Sequence, residues 1–75
     1  MRHSPKQIQV IQDLEKFLEL VQPIEEYHTG VGILRVALKQ ATSQSGIFAD
    51  ASLMVCRALA DKILDDIRAL QAGQR

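Results

Sequence analysis

Between Ser4 and Gln22 the apolar residues Ile11, Leu14, Leu18 and Val21 are joined by a second row at Val10, Phe17 and Ile24 that repeats every seven positions. Steps of three, four and seven are the period of an α-helix, and two adjacent rows give it a wide apolar face. Gln9, Gln12, Asp13, Glu15, Lys16 and Glu19 fill the rest of the circumference. The start is marked by "SPKQ". Ser4 can cap, Pro5 suits the first helical position, and Gln7 stands three residues after the cap as in a capping box. At the far end Pro23 lacks an amide donor and disfavours helical geometry at Gln22. The pattern therefore predicts a first helix over about 5–22 that stops or kinks there.

"VGILRVALKQA" predicts a second helix over about 31–42, apolar nearly all round, with Arg35 and Lys39 one turn apart on a single face. An alternating strand is the rival for "VGILRVAL", and the length of the segment favours helix. "TSQSG", at 42–46, has the composition of a loop. A third helix is expected over about 47–71, with Ser45 or Asp50 as its cap and Gly73 at its end. Its seam is Leu53, Cys56, Ala60, Ile63, Ile67 and Leu70, alternating steps of three and four, with Leu59 and Leu64 on its flanks. The first half, "LMVCRALA", is apolar around most of its surface, so burial should be deepest near residues 53–60. Short connections imply antiparallel packing of successive helices, and "AGQR" reads as a polar tail. The expected fold is one all-α, three-helix domain over residues 1–75, packed like a helical hairpin and completed by homodimerisation.

Composition supplies the reason for a second copy. A domain of 75 residues buries only about 60% of the surface its unfolded chain exposes. Yet 47% of its residues are hydrophobic, more than one small interior can hide. Cys56 is the single cysteine, which excludes an internal disulfide and suits a reducing compartment. Formal net charge is zero and no run of Lys or Arg exceeds one residue, which argues against a nucleic-acid partner. Phe17, Tyr27 and Phe48 are too far apart in sequence to form a base-stacking platform. No apolar run approaches the ~18 residues of a membrane span, and "MRHSPK" is not followed by a signal-peptide core. A soluble cytoplasmic protein is expected.

Most of the candidate chemistry lies in "PIEEYHTGVG", residues 23–32. Glu25 and His28 have the Glu-x-x-His spacing that presents a carboxylate and an imidazole to a metal in di-iron bundles. That site needs a continuous helix and further inward carboxylates, so the segment 23–30 is better read as a polar corner without metal or cofactor. Gly30 should close the corner at a positive φ, and Gly32 should permit close helix contact. A Gly-x-Gly phosphate loop fails, because Arg35 occupies the third glycine position. Cys56 on the apolar seam should act as a small hydrophobe and not as a nucleophile. Asp61, Asp65 and Asp66 alternate with Arg57, Lys62 and Arg68 as a solvated face. A DNA-binding helix-turn-helix in "SQSGIFADASLMVCRALADKI" would set Arg57 and Lys62 among Asp61 and Asp65, which repel phosphate. The expected activity is therefore non-enzymatic protein–protein interaction, as an adaptor, regulator or chaperone-like subunit. Its interface centres on Leu53, Met54, Val55, Cys56, Leu59 and Ala60, with Met54 and Val55 off the seam and exposed without a partner.

Overall fold

The capping box forms as its sequence predicts. Gln7 N donates to Ser4 Oγ (3.1 Å) and Ser4 N donates to Gln7 Oε1 (3.0 Å), opening a first helix, α1, at Pro5–Val21. A computed structural model describes residues 3–73; Gln74 and Arg75 of the expected polar tail lie outside them, as do Met1 and Arg2. Helix α1 ends rather than kinks before Pro23, and a single 3-10 turn, Glu25–Tyr27, carries the chain round. The amides of Ile24 and Tyr27 donate to the carbonyls of Val21 (3.0 Å) and Ile24 (3.1 Å), which gives backbone groups at the break their partners.

The second helix, α2, runs His28–Thr42 and the third, α3, Gly46–Gly73; there is no strand among the described residues. Helix α2 therefore starts three residues before the position its apolar pattern marks. Thr29 and Gly30 are poor helix formers, but tertiary packing overrides propensity. Gly30 lies against Ile63 of α3 and has no positive φ, which corrects its expected role in closing the corner. The expected role of Gly32 is corrected as well, since nothing lies within 4 Å of where its Cβ would stand.

The described residue with a positive φ is Gly46 (φ 59°), where the chain leaves the 43–45 loop and enters α3. Neither expected side chain caps α3. The carbonyl of Ser45 accepts from Ala49 N (3.3 Å), and Asp50 turns toward α1. Gly32→Ala should therefore raise the unfolding free energy by about 0.5–1 kcal/mol through helix propensity, and Gly46→Ala should lower it by about 1 kcal/mol. Urea titrations of both variants at one protein concentration check this, and the reverse order would refute it.

Three sets of contacts fix the topology. Gln7 Nε2 donates to Gly46 O (3.2 Å) and Asp50 Oδ1 (2.7 Å), so α1 and α3 start at the same end and run parallel. Gly30, near the start of α2, meets Ile63, while Ser52 Oγ donates to Gln44 Oε1 just beyond the end of α2. Helix α2 is thus antiparallel to both. The core is Leu14, Leu18 and Val21 from α1, Val31, Leu34, Leu38 and Ala41 from α2, and Leu53, Cys56, Ala60 and Ile63 from α3, with Ala49 also buried. Burial on α3 accordingly runs from Ala49 to Ile63, a longer span than expected. Leu70, expected on the seam, is exposed. The 28 residues of α3 span about 42 Å at 1.5 Å each, and they set the 47 Å length of a molecule only 17 × 16 Å across. Residues 68–73 of α3, all exposed, therefore project beyond the layer where α1 and α2 cover it.

Candidate functional site

Glu25 lies in the 3-10 turn and His28 is the first residue of α2, so no continuous helix underlies the pair. Both side chains are exposed, and no group of three or more metal-donating side chains forms among the described residues. Cys56 is fully buried in the three-helix core, where desolvation pushes its thiol above the ordinary value and a backbone hydrogen bond offsets part of the rise. A thiol so placed is a packing group. Residues 46–66 form one unbroken stretch of helix. Arg57 and Lys62, five residues apart, point roughly 140° away from each other and make no joint basic face. Lys62 pairs instead with Asp66 (3.4 Å).

The interface residues expected on α3 separate into two groups. Leu53, Cys56 and Ala60 lie inside the chain's own core and Leu59 packs against it, so these four support a surface and do not form one. The correction follows from size. With only three helices, the middle of the seam of the longest must face the other two, and Leu53, Cys56 and Ala60 are not left for a partner. Met54 and Val55 do stand in solvent, 72% and 56% exposed.

They do so in company. Ile47, Phe48, Ala51 and Ala58 are exposed on the same side of α3, spaced by three or four and opposite the buried seam. Ile33 and Val36 are exposed on α2. From Gly46 to Cys56 the helix carries one charge, Asp50, and its carboxylate is turned toward Gln7 on α1. The outward side of α1 is more polar but not free of apolar groups: Gln9, Gln12, Glu15, Lys16 and Glu19 are exposed, and so are Ile8 and Leu20. Large apolar side chains are thus left uncovered on all three helices, most of them on α2 and α3. Ile47 and Phe48 (76% and 69% exposed), Ile33 and Val36 went unassigned in the sequence. For Ile47 and Phe48 the signal was an apolar row on the side of α3 away from its seam, and for Ile33 and Val36 it was the apolar circumference of α2.

Between α1 and α3 runs an open groove of about 200 Å³, floored by Val10, Leu14, Phe17, Ala60 and Leu64. It continues toward the N-terminal ends of the two helices beside Lys6, Leu53 and Met54. The buried Gln7 amide beneath that end is satisfied by Gly46 and Asp50, so it offers nothing to a ligand. At the same end His3 Nε2 donates to Gln44 O (2.9 Å), tying the segment before α1 to the 43–45 loop. No family model, curated protein or solved structure gives a significant match to this chain. No helix among the described residues is long and apolar enough to cross a membrane.

Proposed function

We propose that this chain is a non-enzymatic protein–protein interaction module, a small cytoplasmic adaptor, regulator or chaperone-like subunit that works as a homodimer. The observation that carries the reading is the apolar outer surface of α2 and α3, where Ile33, Val36, Ile47, Phe48, Met54 and Val55 are all more than half exposed. Together they leave on the order of 600 Å² of apolar side chain in water, area that a partner can cover. Helix surfaces of this kind receive another helix or an apolar segment through area and shape. An unpaired cysteine kept in the core suits a reducing compartment, which supports the cytoplasmic assignment.

The test is affinity capture from cells of the source organism by the wild-type protein and by the double variant Val36→Lys/Val55→Lys, with quantitative mass spectrometry. Both positions are exposed, so the helices should form normally. Proteins recovered by the wild type should fall roughly 10-fold or more on the variant, because a charge placed in an apolar contact must be desolvated without a partner. Equal recoveries from both would remove this surface as the binding site.

A further inference from the structure

Positions 50, 54, 57, 61, 64 and 68 of α3 advance by alternating steps of four and three, so they share one stripe of the helix. The stripe reads Asp50, Met54, Arg57, Asp61, Leu64, Arg68; Leu64 is half-buried and the other five are exposed. Reversed about position 59, it maps onto itself with every charge inverted. Asp50 falls on Arg68, Arg57 on Asp61, and Met54 on Leu64. Position 59 also lies within one residue of the middle of Gly46–Gly73. Among the described residues Arg57, Asp61 and Arg68 make no ion pair within the chain, and the pair that does form, Lys62–Asp66, lies on another side of the helix.

We infer that two copies of this chain associate through their α3 helices, packed antiparallel along the Asp50–Arg68 stripe about a two-fold axis at position 59. This rests on the homodimer proposed above and gives it a face, an orientation and a register. Asp50 meets Arg68 of the second copy, Arg57 meets its Asp61, and Met54 meets its Leu64, each twice by symmetry. A parallel pairing would set every one of these charges against its like. Exposed ion pairs add little affinity, so the charges select orientation and register while apolar burial holds the copies together.

Two further features fit a second α3 in this place. The stripe borders the groove between α1 and α3, whose floor is apolar and whose rim on the α3 side is Arg57 and Asp61. Asp13, on the α1 rim, lies off the stripe and accepts from Gln9 Nε2 (3.0 Å). Because α1 and α3 are parallel, an incoming antiparallel α3 would complete a four-helix arrangement. The register also gives the projecting end of α3 a seat. Its residues 68–73 would lie beside the other copy's first α3 turns, where Lys6, Leu53 and Met54 extend the groove. The accessible surface is 5569 Å² for a mass of 8.4 kDa. A compact monomer of that mass exposes about 4,600 Å². The excess, roughly 1,000 Å², is close to the ~800 Å² that each partner buries in a stable interface of standard size. Met54 is taken into this dimer, while Ile33, Val36, Ile47, Phe48 and Val55 stay free for a different protein.

Charge reversal at the centre of the stripe tests the arrangement. Arg57→Asp alone and Asp61→Arg alone each set like charges together at both symmetry-related contacts, and each should weaken the dimer roughly 10-fold or more in sedimentation equilibrium. Arg57→Asp/Asp61→Arg in one chain should restore the wild-type constant. An equimolar mixture of the two single variants should form a heterodimer tighter than either homodimer. Circular dichroism confirms that each variant is folded, and heterodimer recovery cannot arise from misfolded chains. If the wild type is dimeric and none of these exchanges changes the constant, the α3 stripe is overturned while the homodimer stands. If the wild type is monomeric at micromolar concentration, the homodimer falls and this geometry with it.

Discussion

Leu34→Ala is expected to lower the unfolding free energy by about 2–5 kcal/mol, enough to leave much of the population unfolded at moderate temperature. Leu34 is fully buried in the middle of α2, where the side chains of α1 and α3 converge. Truncation removes buried methyl groups and leaves a cavity whose walls are helices held by their own backbone bonds, so collapse is incomplete. A domain of 75 residues has roughly 4–11 kcal/mol of stability in total, so one core leucine is a large fraction of it. Asp65→Ala, on the exposed side of α3, should change stability by less than about 0.5 kcal/mol. Urea titrations at one fixed protein concentration separate the two, since dissociation of a dimer would add a concentration term. Effects of equal size would mean that the core is not organised around α2.

The features legible in the sequence were those set by local chemistry or strict period. "SPKQ" marked the start of α1 to the residue because a capping box satisfies two amide donors with side chains only three positions apart. The seam of α3 was legible because a buried helix face repeats every three or four residues wherever its neighbours lie. What the period could not decide is which apolar residues the chain buries and which it leaves uncovered. Leu53 and Leu70 both lie on the expected seam of α3, yet one is in the core and the other is exposed; how far α1 and α2 extend along α3 settles that, and it is a tertiary quantity. The same reason hid the second role of Gln7. Its capping partner Ser4 is three residues away, but Gly46 and Asp50 come near only once α1 and α3 lie side by side. The start of α2 was misplaced because Thr29 and Gly30 look like a chain break, whereas the contact that keeps them helical is made by Ile63, over thirty residues later.

That contact yields the other large effect. A Cβ at Gly30 would stand 3.3 Å from both Cδ1 and Cγ1 of Ile63, closer than ordinary van der Waals contact. Ile63 is itself buried and β-branched, so it has few rotamers into which to retreat. Gly30→Ala should come out near zero, because the gain in helix propensity, about 1 kcal/mol, is set against this crowding. Gly30→Val adds two further carbons at this close approach of α2 to α3, and it should cost about 1–3 kcal/mol as an overpacked core does. His28→Ala, two residues earlier and exposed, should stay within about 0.5 kcal/mol of the wild type. Thermal melts of the three variants, with and without chelator, decide the matter. A metal held by Glu25 and His28 would reverse the order, making His28→Ala the most damaging change and the wild type sensitive to chelator. If the corner instead only turns the chain from α1 into α2, the valine at position 30 melts first and chelator changes nothing.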